Sequence, residues 1–553
     1  MKALQTNRYL VAVVAALGLI PIVLDSTIVT VVLTPIRTEL NTDVSTAQWI
    51  VTGFILANAA VVAIGGYLAN LFGRKRMFVF GVTLFTLGSM LCGISPSIGW
   101  LIVFRVIQGI GGGLVFPIGP ALAFDAFPKE ERARASALVG IPILLAPIFG
   151  PIAGGYLNDA FGWHSIFFIN LPVGIIAVLA ALLVIPPDTS SRAGASRFDY
   201  VGLALSTAGV IAVIYGLSLV TQRDPNTVTA ANPNGSLYGW DYWLVWVLLA
   251  VGGVLLSAFA AYELRVSHDP ALDLRQLGRY DFLMSGLIAW ASALIGYGLL
   301  VLLPIYFEAV HFPALSALDT AIALIPFGVG SLAGTVAAAA LYRALGPRWV
   351  TALGAALSGL SAWMLAQAIH PTANASQLLM AAQGHGSIAA IAGPDDLRWG
   401  LFFVGLSFTF INIPIQTLAL EALKGETLAK ASSLWLTLKL LFSSVGVAVI
   451  TTIFVDRTQS RATDLVNQLR SLAHGSGISP TDPRVLQALH AIEAQIAVQA
   501  GTWAIQSIFW LIFFGSFVLL ALALALPGRR RKLAESASAN KQSKDEPEPV
   551  AAL

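Results

Sequence analysis

Apolar residues dominate this chain in runs too long for a soluble core. The first, Leu10 to Leu33, reads LVAVVAALGLIPIVLDSTIVTVVL and admits one charge, Asp25. As helices, apolar runs of about 20 residues match the hydrocarbon thickness of a bilayer. Bounded by turn residues and charges, they predict spans near 10–33, 48–70, 77–95, 100–124, 135–158 and 166–185, then 200–219 and 243–263. Six more follow near 283–307, 320–342, 349–369, 398–420, 433–455 and 501–526. The expected fold class is all-α: a polytopic membrane protein with fourteen transmembrane helices grouped six, two and six. Its expected domains are a six-helix bundle at 1–190, a two-helix insert at 191–280, a second six-helix bundle at 281–527 and a cytoplasmic tail at 528–553. The tail opens on the basic run Arg529 to Lys532 and then loses periodicity, which predicts disorder.

Charge placement predicts orientation. With the N-terminus inside, 23 of the 32 Lys and Arg fall in cytoplasmic segments, including Arg74, Lys75 and Arg76, Lys129, Arg132 and Arg134. Cations concentrate on the cytoplasmic side of membrane proteins, so both termini are expected inside. Arg105 and Lys439 belong to neither side; they lie within spans. The first span could pass for a signal peptide, but it lacks a small-residue cleavage site and continues past Asp25, so a retained helix is expected.

A faint repeat links the two groups of six. Leu68 to Lys75, LANLFGRK, matches Leu341 to Arg348, LYRALGPR, at an offset of 273, each ending the second span of its group. Two homologous halves with an inserted pair follow from this. Outside, the long connection 456–500 places Leu465, Leu469 and Leu472, then Val485, Leu489, Ile492 and Ile496, at helical spacing. Two readings stand: short helices resting on the outer rim, or a docking surface for a periplasmic adaptor protein.

Composition narrows the function. A chain of 553 residues with mean hydropathy +0.78 and only 11% charged residues is no soluble enzyme. Its single cysteine, Cys92, excludes a disulfide framework, and the seven histidines have no ligand spacing, so no metal site is expected. No P-loop motif appears, which argues against ATP as energy source. Neither a cofactor nor a nucleic-acid partner is expected.

The chemistry centres on Asp25. A carboxylate in hydrocarbon costs several kcal/mol unless it is protonated, paired or facing water. In the fourth span, FRVIQGIGGGLVFP sets Arg105, Gln108, Gly109, Gly112 and Phe116 on one helical stripe, which suits a protein-lined cavity better than lipid. At about 1.5 Å per residue, Asp25 lies roughly 22 Å from the inner face and Arg105 about 8 Å from the outer face of a core about 30 Å thick. The depths coincide. Either the pair merely locks two helices, or it couples protonation to conformation. Lys439, about 9 Å into the thirteenth span, is a second intramembrane charge, for a cavity or for a structural tie to a helix end.

These residues resemble the major facilitator superfamily, and within it the fourteen-span drug:proton antiporters of EmrB/QacA type. Four stretches carry the resemblance: Leu24 to Val29 with Pro35-Ile36; Gly66-Tyr67-Leu68-Ala69-Asn70-Leu71-Phe72-Gly73-Arg74-Lys75-Arg76; Arg105 to Gly113; and Gly150-Pro151-Ile152-Ala153-Gly154-Gly155, running on to Trp163 and Phe168 to Gly174. The resemblance is dense over 20–175 and thinner beyond.

It implies a proton-coupling pair, Asp25 and Arg105, and a substrate cavity lined by Gln108, Gly112, Phe116, Asn170 and Lys439. It also implies a conformational switch built from Gly66, Asn70, Gly73, Arg74, Arg76, Gly150, Pro151, Gly154 and Gly155. Asn70 stands where the family has an aspartate, and Lys439 where it usually has arginine. Gly150 and Gly154 form a small-residue face that, with Pro142, Pro147 and Pro151, either packs closely or makes a flexible seam where the fifth span meets the other half. The expected activity is proton-coupled efflux of apolar or cationic amphiphilic compounds by alternating access across a bacterial inner membrane, with the proton gradient as energy source and protons and membrane lipid as further partners. Transport of an endogenous lipid, peptide or metabolite on the same fold is the alternative. A membrane sensor or enzyme is a remote one.

Overall fold

The computed structural model describes residues 7–528 apart from 43, 129–130, 189–198, 223, 225–226, 228–236, 267–271, 312, 314, 383–390, 422, 424–425 and 476–482. The tail expected to be disordered, 529–553, lies outside the described residues. In lipid every backbone polar group must be satisfied within the chain, and the helix does this segment by segment. Every regular element described is accordingly a helix.

In chain order these are α1 (Arg8–Val31), α2 (Leu33–Glu39), α3 (Val44–Phe72), α4 (Arg74–Gly93), α5 (Ile98–Ala126), α6 (Arg132–Phe161), α7 (Ser165–Phe168) and α8 (Asn170–Val184). The next two are α9 (Tyr200–Thr221) and α10 (Trp243–Arg265). There follow α11 (Tyr280–Ile305), α12 (Ala317–Ala323), α13 (Ile325–Ala368), α14 (Ala375–Ala382), α15 (Pro394–Glu421), α16 (Glu426–Gly475) and α17 (Pro483–Ala525). Among the described residues, eleven helical stretches are long and apolar enough to cross a membrane. One of them contains α13, which bends at Gly346.

Two apolar cores lie among α1–α8. One gathers Val14, Phe78, Phe85, Val115 and Ala177; the other gathers Ile28, Ile50, Leu101, Trp163 and Phe167. A third, around Leu302, Phe327, Leu365, Leu401 and Phe509, belongs to α11–α17. The fourth joins all regions, since Ala59, Phe124, Val210, Phe259, Trp290, Ile415 and Trp435 pack together from seven different helices. The pair α9–α10 therefore sits at the junction. Its ends are tied to both sides: Gln222 Nε2 donates to Thr52 Oγ1 at 3.3 Å and Trp240 Nε1 to Thr452 Oγ1 at 2.7 Å, while the Asp199 amide donates to the Tyr67 hydroxyl at 3.2 Å.

The connection 456–500 is built differently from separate short helices. α16 runs unbroken for 50 residues and α17 for 43, so both helices continue beyond the apolar stretches. Leu465 and Leu469 pack with Ile496 and, on α14, with Ala375 and Leu378. The leucine spacing that predicts helix also gives the extensions a face to bury, and no breaker separates them from the spans.

The 273-residue repeat has a backbone counterpart. Gly73 has φ +99° and ψ 139°, and Gly346 has φ +81° and ψ 172°, a region open to glycine and strained for other residues. Each turn is followed two residues later by a cation that caps a distant helix. Lys75 Nζ donates to the carbonyls of Leu182 (2.7 Å) and Ile185 (2.6 Å) at the end of α8, and Arg348 Nε donates to Leu526 O (2.6 Å) at the end of α17. The first turn has an added clamp, since the Asp188 carboxylate accepts the amides of Lys75 (3.0 Å) and Arg76 (3.3 Å).

Gly73→Ala and Gly346→Ala are each expected to destabilise the protein by about 1–3 kcal/mol. The larger loss falls at Gly73, where a Cβ would also collide with the Asp188 carboxylate. Thermal unfolding in detergent measures both, and an unchanged midpoint at either position would contradict the backbone argument.

Candidate functional site

Asp25 and Arg105 meet in the interior of the first group of helices, 0% and 1% exposed. Arg105 Nη1 donates to Asp25 Oδ2. The other carboxylate oxygen accepts from Gln108 Nε2 at 3.0 Å and from Asn170 Nδ2 at 3.1 Å. The guanidinium is held in turn, since Nη1 also donates to Gln108 Oε1 (2.7 Å) and Nε to the Ile50 carbonyl (3.0 Å), with Phe54 beneath it at 4.2 Å. Charge-assisted bonds of this kind are about twice as strong as neutral ones, and together they tie the carboxylate to three side chains.

The network spans four helices and their neighbours. Asn170 opens α8 and also donates to Ser89 Oγ on α4 at 3.0 Å, and Ser89 donates to Phe167 O on α7 at 2.8 Å. Cys92 Sγ lies 3.7 Å from Gln108 Oε1. Sequence reasoning missed Ser89, Phe54 and the Ile50 carbonyl. A small hydroxyl residue one helical turn from Cys92, in a span that also carries Thr83 and Thr86, gave little to mark Ser89 out. A proton on Asp25 would remove the counter-charge of Arg105 and leave it the neutral acceptors Gln108 Oε1 and the Ile50 carbonyl.

Other predicted residues fall elsewhere. Gln108 and Asn170 belong to the carboxylate network. Phe116 is half-buried against the core that contains Phe78 and Phe85. A Cβ on Gly112 would lie 2.9 Å from Asn58 Nδ2 and 3.0 Å from an Ile22 methyl, so bare backbone lets α1 and α3 close on α5. Gly150 and Gly154 face α1: a Cβ at Gly150 would strike Thr27, and one at Gly154 would lie 3.1 Å from Ile28 O. The small-residue face thus brings α6 against the helix that carries Asp25. Gly155 faces open space, and Pro151 lies in α6 with its side chain outside the described set.

Lys439 sits on α16, half-buried, with Nζ donating to Asn412 Oδ1 on α15 at 2.9 Å and lying 5.9 Å from the Phe408 ring. Asn412 and Phe408 are also in the wall of a small cavity of about 30 Å³ between α11, α13, α15 and α17. Ser292, Ser358, Ser361 and Ser407 line it with Ile295, Leu299, Ile411 and Phe509.

A third cluster joins the two groups of helices. The Gly66 amide donates to Ser433 Oγ at 2.7 Å, and a Cβ there would strike the Ala429 carbonyl, so α3 and α16 touch backbone to backbone. Ser432 Oγ donates to Pro117 O at 3.1 Å. Arg132, at the start of α6, donates to the carbonyls of Leu420 (3.1 Å), Glu421 (2.5 Å) and Leu423 (3.1 Å) at the end of α15. Glu131 pairs with Arg8 at 2.9 Å and with Arg343 at 3.1 Å. Arg74 pairs with Asp125, Arg76 is exposed, and Asn70 is half-buried at the end of α3.

Many apolar spans, a charge network inside them and a polar junction between two groups of helices define a multi-pass membrane transporter. The chain belongs to the Major Facilitator Superfamily, whose family model matches residues 15–447. It is similar to the "Multidrug resistance protein B homolog" of Mycobacterium tuberculosis (strain CDC 1551 / Oshkosh), 31% identical over 432 residues that cover 77% of this chain and 72% of that one. It is also similar to the "Multidrug export protein EmrB" of Escherichia coli (strain K12), 28% identical over 508 residues, 90% and 91% of the two chains. Among solved structures, the proton:xylose symporter XylE shares the fold with a TM-score of 0.53 at 13% identity, covering 94% of this chain and 96% of that one.

Removing one partner of a buried pair strands the other charge, at a cost of about 3–5 kcal/mol. Arg105→Gln is therefore expected to lower stability by that amount, and adding Asp25→Asn to recover most of it. Denaturant unfolding in mixed micelles measures both; equal losses in the single and double variants would refute the pairing.

Proposed function

We propose that this protein is a proton-coupled exporter of amphiphilic small molecules, in which Asp25 is the proton switch and two six-helix bundles rock about a central path. The observation that carries the reading is the Asp25 carboxylate, wholly buried and balanced by one cation and two amides. An ionised Asp25 holds Arg105, α5 and α8 in one arrangement. Protonation neutralises the acid and releases that hold, so proton entry and helix movement share one free-energy term. The names of the multidrug relatives support export of drug-like compounds over nutrient uptake.

The proposal includes fourteen spans in a six, two, six arrangement, with bundles at 1–190 and 281–527, the insert at 191–280 and both termini in the cytoplasm. In that orientation the junction of Arg132, Ser433 and Glu131 lies at the cytoplasmic end, and the conformation is the one closed to the cytoplasm. Arg74, Lys75 and Arg76 then lie level with the inner leaflet, where anionic lipid headgroups are natural partners. The helical extensions of α16 and α17 point outward, and we assign to them the contact with a periplasmic adaptor.

In proteoliposomes, Asp25→Asn should abolish efflux driven by a pH gradient while the amount of reconstituted protein is unchanged; efflux at the wild-type rate would remove Asp25 from the mechanism. Deleting 470–490, beyond the leucines that pack on α14, should cost cells their drug resistance and spare transport by purified protein. Loss in both assays would make the extension structural.

A further inference from the structure

One polar side chain close to the carboxylate network takes no part in it. Asn58, on α3, is 7% exposed, and among the described residues its Nδ2 has no hydrogen-bond partner. A buried donor in that state is a standing cost to the fold. Leucine, of nearly the same shape, would remove the cost, so the amide calls for a reason of its own.

Its position supplies one. A Cβ on Gly112 would lie 2.9 Å from Asn58 Nδ2 and 3.0 Å from an Ile22 methyl, which sets the amide, the glycine and the isoleucine at one level. Ile22 precedes Asp25 on α1 and Gly112 follows Gln108 on α5, so that level lies about one helical turn, roughly 5 Å, from the carboxylate. Side chains lean toward the N-terminus of their helix, so that of Asp25 leans along α1 toward Ile22 and Asn58. Gly112 has no side chain to stand between them.

The chemistry of an amide decides which form of Asp25 it suits. A carboxylic acid has one O–H and one C=O, the complement of the C=O and N–H that Asn58 offers, so acid and amide can close a ring of two hydrogen bonds. A carboxylate has acceptors only and would set one of them against Asn58 Oδ1. The present partners have the opposite preference, since Arg105, Gln108 and Asn170 all donate to Asp25. Among the described residues, the charged or titratable groups facing Asp25 are Arg105 from α5 and Cys92 from α4. The other elements packed on α1 and Arg105 present neutral groups: Phe54 from α3, Gly150 from α6, Phe167 from α7 and Asn170 from α8.

We propose that Asn58 is the receiving partner of protonated Asp25: on taking up a proton the side chain leaves Arg105, moves about one turn toward Ile22 and closes a two-bond pair with the Asn58 amide. The inference rests on Asp25 being the proton switch and adds where the neutral acid goes. Asp25→Asn stands in for the neutral acid, because an amide also has one donor and one acceptor edge. Asn58→Leu removes the receiving amide and keeps its shape. Denaturant unfolding of the purified full-length protein in mixed micelles at about pH 8, where free carboxyls are ionised, reads the coupling through the wild type, the two single variants and the double variant.

Alone, Asn58→Leu should leave the folding equilibrium constant unchanged or raise it, because the donor it removes has no partner. In the Asp25→Asn background the same substitution should lower the constant about tenfold, the worth of two neutral hydrogen bonds. Equal effects in the two backgrounds would overturn the proposal. So would a loss of stability, or of folding, from Asn58→Leu alone, since Asn58 would then be a fixed support of the fold. Transport of the cationic amphiphile ethidium from proteoliposomes separates this inference from the reading beneath it. If the coupling is found and a pH gradient drives no efflux, proton-coupled export fails alone; if efflux requires Asp25 and the coupling is absent, the role of Asn58 fails alone.

Discussion

The cost of taking a carboxylate out of water governs this structure. Four helices answer it together: α1 carries Asp25, α5 supplies Arg105 and Gln108, α8 supplies Asn170, and α4 orients Asn170 through Ser89. Each bond has a narrow range of useful lengths, so helix positions are fixed to within a few tenths of an ångström. Close packing around the site follows. A Cβ on Gly88 would lie 2.9 Å from the backbone of Gln108, and Gly112, Gly150 and Gly154 are similarly filled by neighbouring helices. The glycines are steric consequences of the ion pair as much as a packing motif of their own.

Polar groups elsewhere do a complementary job at helix ends. The last carbonyls of a helix have no partner within it. Here α8, α15 and α17 receive theirs from Lys75 and Arg132, near the starts of α4 and α6, and from Arg348, just past the bend in α13. Two of these bonds stay within one group of helices and repeat across the 273-residue offset. The third, from Arg132, crosses between groups. A bundle can therefore be rigid internally and yet held to its neighbour by contacts that exchange readily, since carbonyls at a membrane surface can be taken over by water.

Much of this was legible in the chain. Asp25, Arg105 and Lys439 stand out because charges inside apolar runs are rare, and Gln108 follows from Arg105 by helical spacing. Asn170 and Ser89 were harder, because a neutral amide at the edge of a span has many uses and its partners lie 145 and 81 residues away. Arg132 reads only as a topological charge, since its partners are backbone carbonyls about 290 residues on, which no side-chain pattern marks. Gly150 and Gly154 announce close packing without saying against what. The long outer connection reads as helical, but continuity with the spans depends on α14 and on α17 being there to cover its leucines.

One consequence concerns mechanics. α16 carries, on a single uninterrupted helix of 50 residues, Ser433 at the junction with α3, Lys439 beside Asn412, and Leu465 and Leu469 packed against α14 and α17. At about 1.5 Å per residue it is a rod of roughly 75 Å, and each degree of tilt about one end carries the other by about 1.3 Å. Breakage of a hydrogen bond near one end of the helix is thereby geared up into displacement at the other. The same lever runs in reverse: a load on the Leu465–Leu469 end of the helix is carried to the junction with α3.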